Sequence, residues 1–459
     1  MKRITLLLLT LSFVTSCGQR SNEIDVCHVS TGAGVVAGKT TADGTVKIFM
    51  GVPFAAPPVG ELRWKAPQAA AEWEGVRECT APPASAMQRK PVPFFCWSKE
   101  FLIPDEPISE DCLYLNIWTS AKTDSDKLPV IVWIHGGGFS GGSGTVPLYD
   151  GEQMARKGVL FVTINYRLGA LGFLAHPGLA YDNEGHSGNL GILDQIFALK
   201  WVKENIAAFG GDPDCITIAG QSAGAMSVHC LMTSPLAKGL FHRCIGQSGA
   251  MMTPAMAPVK LADAEKAAVE MLDKMGLTIT QLRNLPADSL LNLPVRCMPV
   301  EDGYVLPNPL QTFEDGKQND VPLITGWNRD DDAMFGASSG GSVFGDNSRT
   351  WASLQNKTGK SPAYLYFFIH VPPVKEGKQN FGAFHSAEFG YALHTLHLWD
   401  KPFTEADYKL ESGMSSIWVN FAKTGNPNGE GLPLWPAFSG DKPELLELGD
   451  EVKVVPLPF

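Results

Sequence analysis

Short, nearly continuous apolar runs recur along most of this chain. Residues 128–134 read Leu-Pro-Val-Ile-Val-Trp-Ile, and residues 159–165 are equally apolar. Runs of this kind, without strict alternation, are the pattern of strands buried on both faces. Residues 216–219, 244–247, 321–325 and 363–369 repeat it, the third beginning just before Pro322. Between them the period changes. Residues 193–205 place Ile196, Leu199, Trp201 and Val202 on one helical face, and residues 404–424 read as a late helix. Strands interleaved with helices predict an α/β fold, a mostly parallel central sheet with helices on both faces.

The first part of the chain follows other rules. Two strands flank a turn at Asp43-Gly44, the second running from Val46 to Met50. Proline-rich residues 51–67 and residues 80–108 read as irregular, and residues 109–118 alternate into a strand. Gly38-Lys39-Thr40 has the end of a phosphate loop, but the glycine needed five residues before Gly38 is Ala33, so no nucleotide site is expected. Residues 336–347, rich in turn formers, read as a mobile loop.

Composition narrows the classes. The chain has 459 residues, 44% apolar and 19% charged, enough to bury a large core. A net charge of −11 supplies no basic surplus for phosphates and argues against nucleic acid as a partner. Beyond the N-terminus no run of 18 apolar residues occurs, so no later membrane span is expected. Nine cysteines lie scattered without a Cys-x-x-Cys pair, which makes a zinc site improbable.

The N-terminus reads as a targeting segment. Lys2 and Arg3 precede a short apolar stretch, residues 4–14, and Val14-Thr15-Ser16 lead to Cys17. This resembles a bacterial lipobox. It implies a signal peptide over residues 1–16, lipid on Cys17 and a polar tether through residue 26. The protein would then sit in the bacterial cell envelope, held to a membrane by its lipid or released into the periplasm. Eight cysteines would remain, an even number in an oxidising compartment. Cys112 is expected to bridge to Cys96, in the same loop, rather than to Cys79.

The chemistry gathers around Gly220-Gln221-Ser222-Ala223-Gly224, a Gly-x-Ser-x-Gly pattern between an apolar run and a helix-compatible one. A serine on such a strand–turn–helix elbow stands exposed above a sheet. Its hydroxyl is a poor nucleophile unless a base, an acid and oxyanion donors surround it. Upstream, His135-Gly136-Gly137-Gly138-Phe139 follows the run ending at Ile134, and its glycines leave bare backbone N–H groups. Among the histidines after Ser222, His229 falls on the following helix, His242 precedes a strand and His370 closes one. His394 and His397 are expected to share a helical face. His385, on a loop after the run at 363–369, is placed to reach over the sheet. For the acid, Asp330, Asp331 and Asp332 follow the run at 321–325, and position alone does not choose among them.

These blocks in this order resemble the carboxylesterase type B family, cholinesterase-like α/β-hydrolases. Residues 49–67, 109–116, 135–139, 165–174, 188–249 and 418–428 carry the resemblance, which covers nearly everything from residue 27 to residue 459. It implies an α/β-hydrolase domain and a serine carboxylesterase working through an acyl-enzyme, with a small-molecule ester as substrate and no cofactor or metal. It puts the nucleophile on Ser222, the acid on Asp331 and the base on His385, with Glu388 behind it. Oxyanion donors fall on the N–H groups of Gly137, Gly138 and Ala223, and a structural salt bridge on Arg63 and Glu110. The family's binding modules usually have broken triads, whereas every position is filled here; a lipase-type preference for longer esters is the other alternative.

The chain departs from the family pattern in four places. Aspartate replaces the usual glutamate at Asp331, and Gln221 replaces a frequent glutamate beside the serine, which disfavours a cationic substrate. The segment between Phe335 and Tyr364 is short, which implies a more open mouth. Ala86 or Met87 stands where a family cysteine would face Cys112.

Overall fold

The computed structural model describes residues 22–180, 185–335 and 342–457. Its apolar runs assemble into an eleven-stranded sheet. In chain order the strands are β1 (Lys39–Thr40), β2 (Lys47–Pro53), β3 (Tyr114–Thr119), β4 (Leu128–Ile134), β5 (Leu160–Ile164) and β6 (Gly211–Gln221). There follow β7 (Arg243–Gln247), β8 (Leu323–Asn328), β9 (Ala363–Phe368), β10 (Glu444–Leu448) and β11 (Val452–Pro456). Across the sheet the order is β11-β10-β9-β8-β7-β6-β4-β5-β3-β2-β1. The span from β10 across to β5 is parallel throughout, and both edges are antiparallel.

The order reverses at β4, which has β5 on one side and β6 on the other. Loops leaving the carboxyl ends of β4 and β6 therefore emerge side by side, the place where open α/β sheets build their sites.

Helices α1 (Leu190–Asn205), α2 (Ala223–Thr233), α4 (Val343–Thr358) and α5 (Glu405–Thr424) cover both faces, while α3 (Leu261–Met275) packs in a separate cluster with Trp64 and Leu171. The pleat divides β4 between the two faces. Val130, Val132 and Ile134 belong to the same hydrophobic cluster as Ile196, Leu199 and Val202 of α1. Ile131 and Trp133 belong instead with Met414, Ile417 and Trp418 of α5. That two-sided burial is why these strands are apolar at successive positions. A reciprocal capping box between Thr404 and Asp407 starts α5, and Gly425 ends it at φ 77°.

Several elements differ from expectation. Helix α1 begins at Leu190, before the first periodic residue. Strand β6 reaches back to Gly211, because a register irregularity between Gly211 and Ile216 accommodates Pro213. Strand β2 extends to Pro53, a proline tolerated as the strand's last residue. Of the loop expected at 336–347, residues 336–341 lie outside the described residues. From Val343 onward the chain is α4, capped by the Ser342 hydroxyl, which accepts from the Gly345 N–H. No helix among the described residues is long and apolar enough to cross a membrane.

The expected disulfide is absent. Cys27, Cys79, Cys96, Cys112, Cys215, Cys230, Cys244 and Cys297 all carry free thiols. Cys112 lies in the cluster around β3, whereas Cys96 packs against the cluster on the opposite face of the sheet. Cys17 lies outside the described residues.

Candidate active site

Strand β6 ends at Gln221 and α2 begins at Ala223, leaving Ser222 alone on the turn between them. Its backbone adopts φ 57° and ψ −124°, a conformation that side-chain-bearing residues avoid. The flanking glycines make that turn sterically feasible. A Cβ on Gly224 would lie 2.0 Å from the Ile134 carbonyl oxygen, and one on Gly220 would lie 2.6 Å from the Gly224 backbone. The Ser222 N–H donates to the Gln247 carbonyl at 2.9 Å, tying the elbow to β7.

The loop after β4 runs beside this elbow. Gly137 and Gly138 have φ of 110° and 62°, and a Cβ on Gly137 would lie 2.1 Å from the Gly141 carbonyl oxygen. His135 anchors the loop from beneath. It is buried and stacked on Tyr166 with ring centroids 4.5 Å apart, and the Tyr166 hydroxyl donates to its carbonyl at 2.9 Å. Burial pushes the His135 imidazole down to about 4, so it is neutral and structural. The backbone N–H groups of Gly137, Gly138 and Ala223 make no hydrogen bond among the described residues. All three residues line the same cavity as Ser222.

His385 and Asp331 meet at this cavity from different loops. His385 Nδ1 lies 2.7 Å from Asp331 Oδ1, and both side chains are buried. The other Asp331 oxygen accepts the Asn328 N–H at 2.7 Å. The neighbouring aspartates go elsewhere. Asp330 pairs with Arg329 at 2.9 Å and accepts the Ala383 N–H at 2.7 Å. Asp332 makes no bond to His385, and burial pushes its carboxyl up. Behind the pair, Glu388 accepts from the side-chain amides of Gln247 at 3.1 Å and Asn328 at 2.5 Å. Burial, then the nearby Asp331, push the Glu388 carboxyl up to about 7.

The remaining histidines are held in the scaffold. His229 is buried in α2 and stacked on Phe313. His242 Nδ1 accepts the Ile216 N–H, and His370 sits between Asp407 and Asp450. His394 lies just past the short helix Phe389–Leu393 in a left-handed conformation, φ 60°, and pairs with Ser415 at 3.0 Å. His394 and His397 therefore do not share a helical face, contrary to the sequence expectation. Arg63 donates to Glu110 through Nε at 2.7 Å and to the carbonyls of Arg283 and Leu285 at 2.6 Å.

One contact was not foreseen. The Gln221 side-chain amide donates to His385 Nε2 at 3.1 Å, and the Ser222 hydroxyl makes no hydrogen bond among the described residues. Because Nε2 accepts here, the imidazole proton sits on Nδ1 and is donated to Asp331. The cavity measures about 770 Å³ and is walled mainly by apolar and aromatic side chains, among them Phe94, Trp97, Phe101, Phe139 and Phe344. Phe344, from the first turn of α4, stacks on His385 with centroids 4.7 Å apart, and Trp97 meets the ring edge-on at 6.4 Å. Neither aromatic stood out in the sequence, because each lies in a stretch that reads as loop.

A reversing parallel sheet, a strained serine elbow and a glycine loop beside it define an α/β-hydrolase. Comparison narrows the class: the chain belongs to the carboxylesterase family, whose model matches residues 25–347 and 337–456. It is 34% identical to the fumonisin B1 esterase of Sphingopyxis macrogoltabida, over 92% of this chain and 86% of that protein. It is also 34% identical to the para-nitrobenzyl esterase of Bacillus subtilis (strain 168), over 93% and 95%. A solved PNB esterase structure superposes with a TM-score of 0.83 at 32% identity, covering 95% of this chain and 98% of its own. The protein is a carboxylic ester hydrolase.

Proposed function

We propose that Ser222, His385 and Asp331 hydrolyse small carboxylic esters through an acyl-enzyme. The reading rests on one observation above all: the 2.7 Å His385–Asp331 bond at the edge of a cavity that also holds Ser222 and three unpaired N–H groups. As an ester enters, His385 Nε2 exchanges the Gln221 amide for the Ser222 hydroxyl. The imidazole takes the hydroxyl proton while Ser222 Oγ attacks the ester carbonyl. Negative charge on the carbonyl oxygen is received by the N–H groups of Gly137, Gly138 and Ala223. Asp331 holds the tautomer and stabilises the imidazolium, which then protonates the departing alcohol. Water, activated by the same imidazole, releases the acid. The shorter aspartate keeps its reach because it sits within hydrogen-bond distance of the ring. Ser222→Ala is expected to lower p-nitrophenyl acetate turnover by at least about 10⁴-fold; a variant that keeps most of its rate would remove Ser222 from the reaction.

We further propose that the hydrolase begins near residue 27 and is carried into the bacterial envelope by a signal peptide over residues 1–16. Lipid on Cys17 then holds it to the membrane through a tether ending at residue 26. The support is the basic start, the short apolar stretch and the small residues before Cys17. Mass spectrometry of the mature N-terminus is expected to find a diacylglyceryl adduct on Cys17. An unmodified cysteine, or cleavage elsewhere, would refute it.

A further inference from the structure

The cavity above Ser222 has an uneven charge. Arg89 and Arg296 line it, whereas no aspartate, glutamate or lysine is among its described lining residues. Beside the serine itself stands the neutral amide of Gln221. On a chain of net charge −11, carrying 48 acidic side chains against 37 basic ones, two cations without a lining anion run against the overall balance.

Both guanidiniums are also free of carboxylates. Several other arginines are matched with acids, Arg63 with Glu110, Arg156 with Asp43 and Glu152, Arg167 with Asp194, Arg329 with Asp330, whereas Arg243, outside this cavity, turns to the Cys215 thiol and the Lys423 carbonyl. Arg89 instead donates to the neutral side-chain oxygen of Asn292, and Arg296 directs its Nε at the Met298 sulfur, 3.0 Å away. Neither forms an ion pair among the described residues. Asn292 precedes Arg296 by four residues in the same loop, so the Arg89 bond holds that loop against residues 88–91. Two positive side chains are thereby kept on one rim, above an apolar interior.

We propose that Arg89 and Arg296 recognise a carboxylate on the substrate, so that the preferred esters bear a free acid group several bonds from the ester carbonyl. A half-ester of a dicarboxylic acid has this form. The inference rests on Ser222 being the nucleophile of this cavity, because that fixes where the ester carbonyl lies. The apolar walls take the hydrocarbon spacer, and the ester end reaches the elbow. Low-dielectric walls focus the field of the rim charges toward the opening and raise the local concentration of an anion. Guanidinium groups suit this task through their paired N–H donors. Both side chains are exposed at the rim, so the preference weakens as salt screens it.

The test compares ethyl hexanoate with monoethyl adipate, which differ by a terminal methyl against a terminal carboxylate. Both are assayed on the same enzyme sample at neutral pH, and the readout is the ratio of their kcat/KM values. The wild type is expected to favour monoethyl adipate. That ratio is expected to fall about tenfold in Arg296→Ala and in Arg89→Ala, mainly through the KM of the anionic ester, and Arg296→Lys is expected to retain part of it. Partial unfolding of a variant cancels from the ratio. Raising sodium chloride on the wild type, which needs no variant, is expected to lower it as well. A wild type without preference, or a ratio unmoved by both substitutions and by salt, overturns the proposal while leaving the esterase intact. Turnover of both esters that survives Ser222→Ala overturns instead the assignment of the nucleophile.

Discussion

Two buried carboxylates stand near the His385 imidazole, and their surroundings differ. Asp331 accepts a backbone N–H from Asn328 and the ring N–H of His385. Glu388 is fully buried, and the proximity of Asp331 opposes a second charge, so its carboxyl rises to about 7 from the ordinary 4.5. The linkage has a definite sign. In the unfolded chain Glu388 titrates near 4.5, so its contribution to stability is complete below that pH and is lost as pH rises through about 7. The difference corresponds to about 3 kcal/mol. Glu388→Gln carries no charge at any pH. Its thermal midpoint is therefore expected to decline less steeply than that of the wild type as pH rises from about 5 to about 8. Parallel curves for the two proteins would show that Glu388 titrates as it does in water.

At the level of elements, legibility followed the locality of the signal. Strands β4, β5 and β9 announced themselves because both their faces are buried, so that nearly every position is apolar. The elbow and the glycine loop were legible because tight backbone approaches admit only glycine at Gly220, Gly224 and Gly137. Helix α4 was hidden. It buries Phe344, Trp351, Ala352 and Gln355 on one face, but the polar run at residues 346–350 separates Phe344 from the rest and a glycine-rich stretch precedes the helix. Strands β10 and β11 form the sheet's antiparallel edge, and their mixture of glutamate, lysine and valine masks the buried positions. The choice among Asp330, Asp331 and Asp332 needed either the resemblance or the fold, since three adjacent aspartates look alike until one of them faces an imidazole. The grip of Gln221 on His385 was beyond any sequence reading. It joins residues 164 positions apart, and it depends on which side of the elbow the amide turns.

For the molecule as a whole, the question is what holds so large a chain together without the disulfide expected between Cys96 and Cys112. The core is sufficient without one. Two clusters clasp the sheet from opposite faces, and α5 and α1 each seal one of them. A chain of 459 residues buries enough apolar surface that cross-links are not needed to offset chain entropy, unlike the case of small secreted domains. The local geometry agrees. Cys112 lines a small cavity with Ala86 and Met87, residues that offer no second thiol, and burial pushes the Cys79 and Cys96 thiols up to about 11 and about 12. Such thiols are poor nucleophiles at neutral pH and exchange slowly. The thermal midpoint is therefore expected to be the same, within about a degree, with and without dithiothreitol, because no loop-closing bond constrains the unfolded chain. Thiol titration in denaturant is expected to find every cysteine from Cys27 to Cys297 reactive. A midpoint that falls by several degrees on reduction, or two thiols missing from the titration, would mean that a pair closes after all, and the buried neighbours of Cys112 would have to rearrange to admit it.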